Sequence, residues 1–194
     1  MELALISPKD FSVSRWSGGK TTQLYIYPTT ADYGKRDFLF RVSSATVECE
    51  HSDFTLLPNI KRIIMVLKGQ LQLHYGEHGE CHLLPYQQDT FDGGWNTSSD
   101  GQATDFNLML QHGTDGSLSV VDLSPSRSHT FCNTASLLLL YAAEGSCQCF
   151  GEGQSLSVTT GSLAVISGEG ILTLENFDTS LCRLICVRIT LPPQ

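Results

Sequence analysis

The sequence predicts an all-β protein made of two jelly-roll units, barrels or sandwiches, related by duplication. Three observations predict it. Helical periodicity is nearly absent: no stretch of a dozen residues sustains an i, i+3, i+4, i+7 apolar face. Short β-rich runs recur between Gly, Pro, Asn, Asp and Ser residues. One order of strands and turns occurs twice.

The runs expected as strands are Gln23–Tyr27, Phe38–Val42, Ile63–Leu67, Leu71–Tyr75, Leu118–Leu123, Leu137–Tyr141, Leu156–Val158, Ser162–Ile166, Ile171–Leu174 and Leu184–Ile189. Many short strands at close spacing point to a sandwich or barrel.

The repeat is read as follows. Ile63–Leu67 runs into Gly69, Leu71–Tyr75 alternates, Leu83-Leu84 follows a loop, and Thr90–Gly93 follows a turn. Leu137–Tyr141 likewise runs towards Gly145, followed by Cys147–Phe150, Leu156–Val158, Thr160-Gly161 and Leu163–Gly168. Gly69 to Gly93 spans 24 positions and Gly145 to Gly168 spans 23. The first Gly of each copy suits the positive φ of a tight hairpin. Two such jelly rolls follow the double-cupin pattern. The expected units are residues 1–123 and 124–194, the second sharing strands with the N-terminal segment. The join falls in Gln111–Gly116 or Ser124–Ser128, where Ser-Pro-Ser-Arg-Ser is turn chemistry.

A chain of 194 residues suits one domain or two small fused ones. Its net charge is -8, unevenly spread. Residues 1–70 carry nine basic and seven acidic side chains, and residues 71–194 carry three and thirteen. No basic stripe exists to track nucleic acid, and the acidic half disfavours an anionic membrane surface. The N-terminus is too short and acidic for a signal peptide, and no apolar run reaches spanning length. The seven cysteines are odd in number and irregularly spaced, without paired C-x-x-C knuckles. Several lie in apolar runs, where a reduced thiol acts as a small hydrophobe. The expected compartment is the cytoplasm, where thiols stay reduced.

Enzymatic cupins hold a metal with His-x-His, a nearby Glu and a further His. No His-x-His occurs here. His74, His78 and His82 read as a polar hairpin tip rather than a ligand set, and no His follows Thr130. No cofactor and no metal ligand is expected. A Gly-x-Ser-x-Gly elbow is absent. Gly18-Gly19-Lys20-Thr21 ends like a phosphate loop, but Ser14 stands where the upstream Gly belongs.

Polar residues beside strands remain. In Phe40–Ala45, strand alternation puts Arg41, Ser43 and Ala45 on one face. In Asp105–Met109 it groups Asp105, Asn107 and Met109. Arg62 opens the strand Ile63–Leu67. Inward Arg residues require a carboxylate or phosphate partner, and Asp105 could serve as a structural one. Trp16 offers an apolar wall with one donor. Gly18 and Gly19 could let backbone N–H groups approach a ligand.

These segments carry a resemblance. Trp16-Ser17-Gly18-Gly19 with Thr21-Thr22, Phe40-Arg41-Val42-Ser43-x-Ala45, Ser52–Pro58 with Arg62, Leu67-Lys68-Gly69, Thr90–Gly93 and Asp105-Phe106-Asn107-x-Met109 resemble, in order and spacing, the motifs of the HutD/Ves family. Ser17, Lys20 and Phe40 depart from the usual Asn, Gly and Trp. The resemblance covers about residues 10–115.

It implies a bicupin without the usual metal ligands. It also implies a role linked to histidine utilisation or stress, with binding of an intermediate such as formylglutamate. The expected function is therefore non-catalytic binding or regulation through a small anionic metabolite, without nucleic acid or membrane partners. The expected binding residues are Trp16, Gly18, Gly19, Thr21, Arg41, Ser43, Arg62, Phe91, Asp105 and Asn107, with no catalytic residue. The alternative is a cupin enzyme, either a metal-independent isomerase or hydrolase or an atypical metal oxygenase. Asp105 would then be the acid/base and His51 a remote candidate. Exposed jelly-roll strands also leave a homodimer open.

Overall fold

Alternating and continuous apolar runs turn most of the chain into strands, and its glycines and prolines fall at the breaks. The computed structural model describes residues 1–193. Its strands in chain order are β1 (Glu2–Ile6), β2 (Ser12–Trp16), β3 (Gly19–Tyr27), β4 (Phe40–Val47), β5 (His51–Asp53) and β6 (Ile60–Gly69). There follow β7 (Leu71–His74), β8 (Glu80–Leu83), β9 (Gln88–Asp92), β10 (Ser98–Asp100), β11 (Ala103–Gln111), β12 (Asp115–Leu123) and β13 (Ser128–Asn133). The last are β14 (Leu137–Glu144), β15 (Ser146–Gly151), β16 (Gln154–Thr159), β17 (Leu163–Ser167), β18 (Gly170–Glu175) and β19 (Cys182–Thr190). Two single-turn 3-10 segments, Pro8–Asp10 and Gly76–His78, are the helical elements among the described residues.

The chain divides into two compact units. One is Phe11–Thr114; the other is Met1–Asp10 together with Asp115–Gln194. The division falls in the Gln111–Gly116 stretch rather than after residue 123. The strand shared with the N-terminal segment is β1, which pairs antiparallel with β17 from Glu2↔Ser167 to Ile6↔Leu163. The physical reason is the sheet edge that β17 would otherwise expose.

Each unit pairs a larger sheet with a four-stranded one. In Phe11–Thr114 the orders are β2-β3-β4-β11-β6-β9 and β5-β10-β7-β8. In the other unit they are β1-β17-β14-β19-β12 and β13-β18-β15-β16. Taken eight strands apart, β4-β11-β6-β9 maps onto β12-β19-β14-β17, and the four-stranded sheets map strand for strand. Duplication therefore accounts for sixteen strands, while β1, β2 and β3 are additions. The glycine signals align as well. Gly69 and Gly145 both have positive φ (80° and 68°). A Cβ there would lie 2.3 Å from the Gln102 carbonyl oxygen and 2.4 Å from that of Leu181.

The cores differ in chemistry. The unit with the C-terminal strands packs Leu138, Leu140, Ile166, Leu172 and Leu184 with four buried thiols, Cys147, Cys149, Cys182 and Cys186. Burial raises the Cys149 pKa to about 11, which makes that thiol a poor nucleophile. The other unit packs Ile64, Val66, Leu71, Leu73, Leu83 and Phe91 between its sheets, and a second cluster gathers Phe38, Leu57 and Ile60. Between these clusters its interior is polar.

The added hairpin β2–β3 turns through Ser17-Gly18, with Trp16 paired to Gly19. The Gly18 carbonyl accepts from the Glu48 N–H at 2.8 Å. A Cβ on Gly19 would sit 2.0 Å from the Thr46 carbonyl oxygen, and one on Gly18 would strike the Trp16 ring at 2.2 Å. These glycines permit close packing of backbone against its neighbours. Gly19→Ala should lower unfolding free energy by about 1–3 kcal/mol, read as a reduced urea midpoint with unchanged slope.

Candidate functional site

The polar interior of the Phe11–Thr114 unit is a cavity of about 430 Å³. Strand alternation builds its floor. On β4, Arg41, Ser43, Ala45 and Val47 point in; on β11, Asp105, Asn107 and Met109 do so. Register aligns them in rows. Arg41 and Arg62 both pair with Met109, one from each side. Ser43 pairs with Asn107, and Ala45 with Asp105. Ser14 and Thr21, opposite each other on β2 and β3, extend the wall. Trp16 and the Ser52–Thr55 segment close the rim.

Both guanidinium groups are buried, Arg41 at 5% and Arg62 at 6% exposure. Arg41 donates from Nε to Gln23 Oε1 at 2.8 Å and from Nη1 to Ser43 Oγ at 3.0 Å, and its Cζ lies 4.3 Å from the Tyr33 ring centroid. Arg62 makes one long bond, Nε to Asn107 Oδ1 at 3.5 Å, and its Cζ lies 4.8 Å from the Phe54 ring and 5.0 Å from Phe91. Among the described residues neither forms an ion pair. Burial lowers the Arg41 pKa. Burial also draws Arg62 down to about 10, against the opposing field of Asp105, so it stays protonated at neutral pH.

Asp105 is 4% exposed. Its carboxylate accepts a hydrogen bond from the Ala45 backbone and feels Arg62, yet burial dominates and pushes its pKa up to about 7. An acidic group that titrates near neutrality inside a cationic cavity can be an acceptor or, when protonated, a donor.

Seven of the ten expected residues line this cavity: Trp16, Thr21, Arg41, Ser43, Arg62, Asp105 and Asn107. Three do not. Gly18 and Gly19 serve the hairpin, where a side chain would collide with Trp16 or Thr46. Phe91 is a core residue, 2% exposed, which meets Arg62 but does not reach the cavity surface. Sequence reasoning missed Tyr33 and Gln23. Tyr33 lies in the irregular 28–39 segment, which carries no periodic signal. Gln23 was visible as a strand residue, but its partnership with Arg41 depends on register across β3 and β4.

The duplication supplies an internal control. Aligning Gly69 with Gly145 puts Arg62 where the other unit has Leu138. The matching β11 and β19 registers put Asp105 and Asn107 where it has Leu184 and Cys186. Those three residues are essentially inaccessible. At these three positions one copy of the fold has hydrocarbon and thiol, and the other a cation, a carboxyl and an amide.

The histidines lie elsewhere. No His or Cys lines the cavity, and among the described residues no group of three or more His, Cys, Asp or Glu is placed to hold a metal. On the exposed face of the β5-β10-β7-β8 sheet, Asp100 takes His51 Nδ1 at 2.6 Å and His74 Nε2 at 3.0 Å, while His74 Nδ1 reaches Glu80 at 3.3 Å. The hydrogen bond to Asp100 raises the His51 pKa, and His51 lowers that of Asp100. The His51 contribution is therefore full below its unfolded pKa and lost as pH rises through its folded one. The Asp100 contribution is lost as pH falls through its folded pKa. Asp100→Asn should move the His51 ring titration, followed by NMR, down towards the ordinary value.

Asp105 yields a second prediction. Its folded pKa of about 7 exceeds its ordinary 3.8. Its burial cost is absent below the lower value and complete above the higher one. The Asp105 contribution to wild-type stability should therefore fall as pH rises from about 4 to 7, by up to about 4 kcal/mol. Asp105→Asn should flatten that slope in denaturation curves taken across the range.

The match to known proteins agrees with this architecture. The HutD family model matches residues 8–182. The structure of PA5104, a conserved protein of unknown function from Pseudomonas aeruginosa PAO1, superposes with a TM-score of 0.85 at 22% identity, covering 98% of this chain and 100% of that one. HutD from Pseudomonas fluorescens SBW25 gives 0.72 at 21%, covering 97% and 98%. Bacillus subtilis oxalate decarboxylase shares the cupin fold, at 0.75 and 6% identity over 95% of this chain and 76% of that one. No curated protein matches. With six ordered motifs, a duplicated cupin topology and a family match across most of its length, the chain belongs to the HutD family.

Proposed function

We propose that this protein binds a small carboxylate metabolite in the Phe11–Thr114 cavity and acts as a cytoplasmic binding or regulatory protein in histidine utilisation or a stress response, with a formylglutamate-like acid as the natural ligand type. One observation carries the reading. Arg41 and Arg62 are buried, converge on one cavity, and form no ion pair among the described residues. Leaving a buried cation without a counter-charge is costly, on the order of several kcal/mol. Stacking on aromatic faces offsets about 0.5–2 kcal/mol of it. A carboxylate spanning the two forks would supply the missing charge and accept charge-assisted hydrogen bonds.

The rest of the wall fits such a guest. Ser43, Asn107, Thr21 and Ser14 can donate or accept. Trp16 covers the mouth with an apolar ring at 38% exposure. About 430 Å³ lies in the range of small-molecule sites.

Thermal shift against a panel of short mono- and dicarboxylates, formylglutamate included, tests the reading. A ligand bound only by the folded state at a hundred times its Kd adds about 2.7 kcal/mol, several degrees in Tm. Arg41→Ala and Arg62→Ala should each abolish the shift relative to their own ligand-free baselines, and Arg62→Lys should retain part of it. No shift with any acid, or equal shifts in the alanine variants, defeats the proposal.

A further inference from the structure

The cavity is not uniformly cationic. The backbones of its two arginines lie in the Met109 row of the β4-β11-β6 floor, their side chains reach the Ser43–Asn107 row, and the buried carboxyl, Asp105, belongs to the row beyond. At about 3.3 Å of rise per residue, four residues along β11 separate these rows by roughly 13 Å at the backbone. The Arg62 side chain spans only part of that distance. Asp105 accepts from a backbone N–H and has no ion pair among the described residues. One end of the space therefore lacks an anion, and the other holds an acceptor without a donor from a side chain.

We infer that Asp105 makes this cavity selective for a carboxylate whose far end carries an N–H donor, an amide or amine, over one that ends in a second carboxylate. The inference rests on the carboxylate-binding reading above and adds the chemistry of the opposite end. A donor N–H can pair with ionised Asp105. A second carboxylate faces it with like charge, and the two can coexist only by sharing a proton.

The groups that face Asp105 support the sign. Arg62, from β6, acts on it directly, and the other charged or titratable groups of the cavity are Arg41 on β4, Tyr33 in the 28–39 segment and the exposed Asp53 at the rim. The β2 and β3 residues of the wall are the neutral Ser14 and Thr21. A carboxylate on the guanidinium groups screens their field at Asp105 whichever ligand carries it; the second carboxylate of a diacid adds a like charge at Asp105 and draws in a further proton, which the neutral amide of a monoamide does not. Asp105 already titrates near neutrality without a ligand, so that proton is available only at lower pH.

Calorimetric titration with three matched pairs of probes tests this: succinate with succinamate, glutarate with glutaramate, and adipate with adipamate. At pH 8 the best-fitting monoamide should bind wild type at least about tenfold more tightly than its diacid. At pH 5.5, where Asp105 is already protonated, the gap should narrow to about threefold or less, and between pH 7 and 8 diacid binding should take up a proton, visible as a dependence of heat on buffer ionisation. Asp105→Asn should bind the diacid as well as the monoamide at both pH values. Equal affinities for wild type at pH 8, or a monoamide preference that survives in Asp105→Asn, overturns the inference and leaves the arginine reading intact. Binding by none of the six probes overturns both. The wild-type pH comparison decides the matter even if the variant does not fold.

Discussion

Two cations inside a β-sandwich are the constraint to which the rest of the Phe11–Thr114 unit answers. A guanidinium withdrawn from water requires nearby charge, hydrogen-bond acceptors and polarisable faces. Arg41 finds Gln23, Ser43 and the Tyr33 ring. Arg62 finds Phe54, Phe91 and the edge of an Asn107 bond. The added hairpin β2–β3 supplies Gln23 and part of the wall, and the irregular 28–39 segment supplies Tyr33. Embellishments on a duplicated jelly roll thus cluster around the charges that the plain jelly roll cannot shelter. The compensation stays incomplete, because neither arginine gains a carboxylate within pairing distance. Incomplete compensation in a cavity with room for a guest distinguishes this arrangement from a structural ion-pair network.

The second copy shows what the same topology does without this demand. Where the first has Arg62, Asp105 and Asn107, it has Leu138, Leu184 and Cys186, all buried in its apolar core. The fold alone therefore does not create the cavity. Three side chains at equivalent positions on two central strands distinguish the polar interior of one unit from the apolar interior of the other. This is the usual separation of scaffold from site in a widely used architecture, here seen within one chain.

Much of this was legible from residue order. The period-two patterns at 40–45 and 105–109 grouped Arg41 with Ser43 and Asp105 with Asn107 on shared faces, since alternation in a strand is geometrically rigid; that those faces line the cavity depends on the sheet pairing. The paired glycines 69 and 145 exposed the duplication because both need the same backbone freedom. Other features escaped for physical reasons. The Ser17-Gly18-Gly19 turn was read as a ligand cradle, but close packing against Thr46 and Trp16 selects glycine there, and sequence does not distinguish the two demands. Phe91, expected in the site from the Thr90–Gly93 motif, pairs with Arg62 in the ladder but is buried in the core. Tyr33 lies in a segment without periodicity. The His51–Asp100–His74 chain unites residues from three strands, and nothing local to any of them announces it.

The pairing of β1 with β17 sets a constraint on how the chain can be assembled and handled. Residue 2 is in register with residue 167, so this sheet edge closes across the whole Phe11–Thr114 unit and more than half of the other. Loop closure over such a span is slow compared with local hairpins. The first strand emerges from the ribosome long before its partner exists and must wait unpaired while the intervening unit folds. A cut at the boundary near residue 114 would not yield two self-sufficient halves: one fragment would carry a stranded β1, and the other would display the raw flank of β17 to any neighbour able to add a strand.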